Sequence, residues 1–266
     1  MPQLLRSTYQ MMVTFGVDPI KTIHAVRGVP VYFRELRELR RQQKASGQDF
    51  PFGPYFPSLA DRYMDSGAAS GHYFHQDLLV ARRVHHNAPD KHVDVGSRID
   101  GFVAHVASFR PVEVIDVRPL NSQIPNVRFM QADFMKTLPD QLFGYCDSLS
   151  CLHALEHFGL GRYGDPVNFE GYLLGLENLY KVLKPGGKLY FAVPIGPQRI
   201  EFNAHRVFSV SHLLACFEGR YHLDRFSYVD DHGDLHDDVA VTDDHISNNF
   251  GCRYGCGIFE LTKLAA

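Results

Sequence analysis

From Lys91 onward, short apolar runs rich in β-branched residues alternate with helical periods, and this alternation restricts the fold more than any other feature of the chain. The runs are HVDVG, VEVIDV, NVRFMQAD, YCDSLSCL and GKLYFAVP. Strands separated by helices return to the same edge direction, which predicts a parallel, doubly wound α/β sheet. Between the last two runs, FEGYLLGLENLYKVLKPGGK carries Leu173, Leu176, Leu179 or Tyr180, and Leu183 on one helical face. That helix is expected to end at Pro185-Gly186, where Pro presets the first turn angle and Gly supplies a positive φ. Further on, FSVSHLLACF reads as a helix, YHLDRFSYVD as a strand and GCGIFELTK as a closing strand. A polar loop, DDHGDLHDDVAVTDDHISNN, lies between the last two.

The first part of the chain has a different texture, and residues 1–71 read as a helical and irregular extension before a domain at 72–266. VYFRELRELRRQQKAS places Phe33, Leu36 and Leu39 at the spacing of an amphipathic helix. GQDFPFGPYFPSLADR, with three Pro and two Gly among aromatics, reads as a non-helical wrap. GHYFHQDLLVARRVHHN resumes a helical period through Phe74, Leu78 or Leu79, and Ala81, until Pro89 stops it. The extension is expected to act as a cap over the pocket or as a homodimer surface.

Net charge −3 leaves no basic surplus for nucleic acid, and no run of about 18 apolar residues suits a membrane. Arg6, Gln10 and Asp18 interrupt the first apolar segment, unlike a signal peptide. Five cysteines, an odd number without framework spacing, favour reduced thiols and a cytoplasmic location. A small-molecule substrate is the expected partner.

Open α/β sheets bind ligands outside the carboxyl ends of their strands. The first run ends in VDVGSRIDGF, where Gly96 lets backbone approach a ligand and the amides after it open a helix N-terminus. The second ends in Asp116, an acceptor for ribose hydroxyls. The third delivers Asp133, suited to an adenine amino group, with Phe134 or Met135 to cover the ring. The fourth puts Ser150 and His153 at its end.

Directly after the fourth run, His153-Ala-Leu-Glu-His157 spells the H-x-x-E-H pattern of an inverted zinc peptidase. A zinc helix needs length, yet Gly159, Gly161, Gly164 and Pro166 follow at once and a strand precedes it. The segment is better read as the acceptor-side lip of a nucleotide pocket. The 230–245 loop offers Asp230, Asp231, His232, His236, Asp237, Asp238 and His245, but such loops are usually solvated turns, and Cys252 and Cys256 form only one C-x-x-x-C. No resident metal is expected.

In their order, the four strand ends resemble the class I S-adenosylmethionine-dependent methyltransferases, and LYKVLKPGGKLYFAVP is similar to the most recognisable stretch of that superfamily. HVDVGSRIDGFVAHVASF, HALEHFGLGRYGDP and VPIGPQRIEFNAHRVF resemble more closely the family catalogued as domain of unknown function 268. The resemblance covers roughly residues 72 to 263. It implies a Rossmann-like, seven-stranded sheet with its last strand antiparallel, and S-adenosyl-L-methionine as cofactor. Gly96 and Ser97 would carry the methionine part, Asp116 the ribose and Asp133 the adenine, with Asp94, Phe134 and Ser150 as further cofactor contacts. Arg98 and Asp100 stand where the superfamily loop usually carries further glycines.

Methyl transfer to a hydroxyl requires an aligned acceptor and a group to take its proton. His153, His157 and His205 are the candidate bases, with His153 and His205 ranked first for their places at strand ends. Arg206 is read as the group that holds an anionic acceptor, with Glu156 beside it. The expected function is methyl transfer to a small polar acceptor, a sugar or glycan precursor. The alternatives are an inactive binding or assembly protein on the same fold, and a metal-dependent hydrolase built on the Asp/His loop.

Overall fold

A computed structural model describes residues 3–47, 50–67 and 69–265. The chain divides into two compact units, Met1–Ala68 and Ala69–Ala266, a division slightly earlier than the 71/72 boundary read from sequence. In the first unit, α1 spans Gln3–Thr14 and α2 spans Pro19–Ser46, so the helix expected near Phe33 is the second half of a longer one. Its start is set by Asp18, whose Oδ1 accepts the amides of Ile20 and Lys21 at 3.0 and 3.1 Å, with Pro19 following where an amide is not needed. Gly47, at φ 65°, ends it. Residues 50–60 are non-helical, as the Pro and Gly content implies, while Gln48 and Asp49 of that wrap lie outside the described residues.

The second unit begins with α3, His72–Asn87. Strands β1 (His92–Val95), β2 (Val112–Asp116), β3 (Val127–Gln131), β4 (Cys146–Leu152) and β5 (Leu183–Ile195) follow. A π-turn at Ile99–Val103 and the short α4 (Ala104–Ala107) follow β1, and α5 (Gly171–Val182) precedes β5. A small hairpin, β6 (Arg199–Glu201) and β7 (His205–Val207), leads to α6 (Val210–Phe217) and β8 (Tyr221–Val229). The two-residue β9 (Leu235–His236), α7 (Asp243–Ser247) and β10 (Gly255–Lys263) complete the chain.

The sheet runs β3-β2-β1-β4-β5-β10-β8-β9. Neighbours from β3 through β5 are parallel, and β10 is inserted antiparallel between β5 and β8. This is the doubly wound sheet with its last strand antiparallel that the resemblance implies, extended at one edge by β9. Strand order reverses between β1 and β4, so the crevice there opens at the carboxyl ends of both.

Period-2 alternation sends successive side chains to opposite faces. On one face, Leu149, Phe191 and Phe259 pack with Leu179 of α5 and Leu213 of α6. On the other, Val114, Tyr190 and Ile258 pack with Val80 and Val84 of α3 and Phe102. Burial of each large apolar side chain contributes about 1.5–3 kcal/mol. α5 ends at Val182 rather than at Pro185, because Leu183 already turns extended at φ −80°, ψ 135° to enter β5, and Pro185 keeps Lys184 out of helical geometry after it. Lys263 Nζ then takes the freed carbonyls of Tyr180 and Leu183 at 2.6 and 2.7 Å, tying the last strand to the helix end.

Candidate nucleotide cleft

A cleft opens at the carboxyl ends of β1, β2, β3 and β4, with an empty volume of about 550 Å³ counted out to its open mouth. Gly96 forms part of its floor. At φ 74° this residue holds a conformation that favours glycine, and a Cβ there would approach Ala154 Cβ to 2.8 Å. Asp116 and Asp133 stand at the ends of neighbouring strands, with Ile115, Val117 and Met135 as apolar wall. Five of the residues read from sequence, Gly96, Asp116, Asp133, His153 and His157, therefore meet in one cavity.

Phe134 also borders the cleft, but its ring is 3% exposed and belongs to the core with Leu138 and Leu142. Met135 is the residue left to cover a bound ring. Its placement follows from an Asx turn, in which Asp133 Oδ1 accepts the Met135 amide at 2.9 Å.

Three expected cofactor contacts face elsewhere. The alternation along β1 and β4 turns Asp94 and Ser150 to the α3 face of the sheet, away from the cleft lining. There Asp94 Oδ2 accepts the hydroxyls of Ser97 at 2.6 Å and Ser150 at 2.5 Å, while Asp94 Oδ1 accepts the Ser97 amide at 3.0 Å. Ser150 Oγ also lies 3.2 Å from His92 Nε2, and His92 Nδ1 lies 2.7 Å from Ser148 Oγ. The network is buried, and burial pushes the Asp94 carboxyl up to about 6 and the His92 imidazole down to about 3. It fixes the backbone turn on which Gly96 sits.

Arg98 leaves the loop free, because its guanidinium turns outward to Asp100 at 2.7 and 3.0 Å. The acid that sequence reading missed is Asp77 of α3, which a Cβ at Gly101 would strike. Arg118 was also missed, although it follows Asp116 by two residues. Its Nε and Nη2 hold the Asp116 carboxylate at 3.1 and 2.7 Å, and its guanidinium carbon lies 4.4 Å from the centre of the Tyr163 ring. The alternation of charge in VIDVR was the available signal.

On the acceptor side, no zinc-peptidase helix forms. His153 has φ 51° and only Leu155–His157 makes a single 3-10 turn. His153 Nδ1 is 2.7 Å from Glu156 Oε1, and both residues are buried. Burial opposes the imidazolium, yet Cys256 and the Glu156 carboxylate raise the His153 pKa well above its ordinary value. His157 donates from Nδ1 to the Ala204 carbonyl at 2.7 Å, which leaves Nε2 as its basic nitrogen, and burial lowers its pKa.

His205 and Arg206 do not reach the cleft lining. His205 packs on Tyr254 with ring centroids 5.0 Å apart and lies 3.2 Å from Glu201 across the β6–β7 hairpin. Arg206 is 4% exposed and donates to the carbonyls of Phe158 at 2.6 Å and Phe169 at 3.0 Å. It organises the loop behind His157, and no donor is directed to an anionic acceptor. Glu156, 1% exposed, braces His153 instead of contacting the cleft.

Solved structures similar to the chain include the N-methyltransferase NodS of Bradyrhizobium japonicum WM9 bound to S-adenosyl-L-homocysteine, at 12% identity and TM-score 0.48 over 73% of this chain and 88% of that one. Another is the 1,6-didemethyltoxoflavin-N1-methyltransferase of Burkholderia thailandensis, at 12% identity and TM-score 0.49 over 71% and 79%. The YcgJ protein of Bacillus subtilis matches at 14% identity and TM-score 0.47 over 72% and 99%. No curated protein is significantly similar. Residues 122–249 match the family described as Caenorhabditis protein of unknown function, DUF268, a segment that runs from β3 to α7.

Proposed function

We propose that the chain is an S-adenosylmethionine-dependent methyltransferase acting on a hydroxyl of a small polar acceptor, with sugars and glycan precursors as the acceptor class. The observation that carries this reading is the placement of Asp116 and Asp133 on adjacent strand ends of one cleft floored by Gly96. The donor set fits an adenine nucleoside: a carboxylate for a diol, a second for an exocyclic amine, and apolar Ile115, Val117 and Met135 between them. When bound, the cofactor supplies an activated methyl group on a sulfonium.

Within this reading the chain binds, orients and takes a proton. Asp116 accepts the ribose hydroxyls once Arg118 yields a position on its carboxylate. Gly96 admits the backbone to close contact. His157, neutral and with Nε2 free of the Ala204 carbonyl, is the base for the acceptor hydroxyl. Arg206 holds the loop that carries His157. A second reading, an inactive binding protein, draws support from the Arg118–Asp116 pair, which already occupies the ribose acceptor.

Calorimetry with S-adenosylhomocysteine, followed by detection of that product from S-adenosylmethionine with a panel of monosaccharides and sugar nucleotides, tests the two readings. Absence of binding by the wild type defeats the methyltransferase reading. Binding with no turnover on any hydroxyl acceptor favours the inactive one.

A further inference from the structure

Beside the cleft, three side chains from distant parts of the second unit converge: His72 at the start of α3, His153 just beyond β4, and Cys256 near the start of β10. One donor atom from each lies within 4.8 Å of the other two. We propose that His72, His153 and Cys256 form a binding site for a zinc-class divalent cation. This site is independent of the methyl-transfer reading and uses none of the 230–245 loop acids.

The first support is the state of the donors. His153 Nδ1 is engaged by Glu156 Oε1 at 2.7 Å, so Nε2 is its remaining donor. That atom is buried in a side chain 3% exposed and makes no well-formed hydrogen bond, the Cys256 thiol being the polar group that faces it. A buried polar atom without a partner costs about 1–3 kcal/mol, and a cation shared with Cys256 and His72 satisfies it. His72 packs beside the Tyr254 ring with centroids 5.2 Å apart, and one of its ring nitrogens reaches the cluster. Cys256 is completely buried, and the Gln76 amide oxygen 3.7 Å from its Sγ is a weak partner.

The second support is the outer shell. Metal-bound histidines usually give their second nitrogen to a carboxylate or a backbone carbonyl, which fixes ring orientation and raises ligand basicity. Glu156 has that relation to His153. The imidazole planes are stacked within 7° at a centroid distance of 5.2 Å, so both rings are held together at one edge of the site. His153 also sits at φ 51°, in the left-handed region that is uncommon for residues other than glycine.

Two imidazoles and a thiolate suit zinc above hard cations, which prefer oxygen ligands. Zn–N distances of about 2.0–2.1 Å and Zn–S of about 2.3 Å put tetrahedral donors about 3.5 Å apart. Closure from 4.8 Å or less therefore needs a shift of about an ångström. Three protein ligands leave a fourth position for water, the arrangement of metal sites that are not purely structural. Bound, the ion would cross-link α3, the end of β4 and β10.

The test uses the full chain stripped with chelator and titrated with Co²⁺ and Zn²⁺ in the absence of any nucleotide. The expected result is one ion per chain, with visible bands of tetrahedral cobalt and a near-ultraviolet thiolate-to-cobalt charge-transfer band. Cys256→Ser should abolish the charge-transfer band, and His72→Gln should weaken affinity at least tenfold. Glu156→Gln, which keeps the ligands, should weaken it about 10- to 100-fold. Each variant is compared with metal-free wild type by thermal melting, so a lost ligand is distinguished from a lost fold. The proposal is overturned if the wild type binds less than one ion at micromolar concentrations, if the cobalt adduct lacks a thiolate band, or if binding survives Cys256→Ser but is lost in His236→Asn.

Discussion

Arg118 closes its guanidinium on the carboxylate of Asp116, with Nη2 2.7 Å from Oδ2 and Nε 3.1 Å from Oδ1, while the Arg118 amide donates to the same Oδ1 at 2.8 Å. A ribose diol that binds Asp116 must take over part of this coordination. Hydrogen bonds to a charged group are worth about 1.5–3 kcal/mol each, so Asp116→Ala should weaken S-adenosylhomocysteine about 10- to 100-fold. Arg118→Ala removes the competitor and should tighten binding several-fold. Isothermal titration of the three proteins checks both; tighter binding in Asp116→Ala would sink the ribose assignment.

The floor of the cleft makes a separate prediction. Gly96→Ala places a Cβ 2.8 Å from Ala154 Cβ on a backbone at φ 74°. Strain and overpacking together should cost about 1–3 kcal/mol, and the displaced 154 segment should narrow the cleft. Urea melts should show reduced stability, and S-adenosylhomocysteine affinity should fall by more than tenfold. A variant of unchanged stability and affinity would mean that the loop relaxes freely and that glycine is not needed there.

Arg206 separates a structural role from a substrate role. Its donors hold the Phe158 and Phe169 carbonyls in the loop that leads from His157 to α5. Arg206→Met leaves those acceptors without their charged donor, a loss of about 2–4 kcal/mol. The melting temperature should drop while a competing anion such as sulfate has no effect on either protein. Protection of the wild type alone by sulfate would restore Arg206 to the acceptor-binding role read from sequence.

The strands and their order were legible because runs such as VEVIDV and GKLYFAVP combine β-branched content with helices between them, and the sheet formed in the expected order. Asp116 and Asp133 were legible for the same reason, since the last residue of a parallel strand and the turn after it must face the crevice. Asp94 and Ser150 were misjudged by parity: each lies within its strand, where one step decides between the cleft and the buried α3 face. His72 and Cys256 gave no signal beside His153, because 81 and 103 residues of chain separate them from it and only the completed sheet brings them together. Arg206 was expected at the rim because it follows β5, but the β6–β7 hairpin turns its side chain inward.

The buried Asp94–Ser150–His92 network makes a prediction about pH. Asp94, raised by burial from its ordinary value near 3.8 to about 6, keeps an extra proton in the folded chain between those values. Its contribution is therefore full below about pH 4 and lost as pH rises through 6. His92, lowered by burial from 6.5 to about 3, is neutral in the fold while the unfolded chain takes up a proton. Its contribution is full above 6.5 and lost as pH falls towards 3. Between pH 4 and 6 the two slopes oppose one another, each of about 1.4 kcal/mol per pH unit at most. Asp94→Asn removes the first and keeps the side-chain shape, with an amide NH2 in place of one of the two accepting oxygens, so the variant should lose stability on acidification more steeply than wild type. The divergence should reach about 2–3 kcal/mol between pH 6.5 and pH 4. Urea denaturation at half-unit intervals measures it, and parallel curves for the two proteins would show that Asp94 is ionised throughout this range.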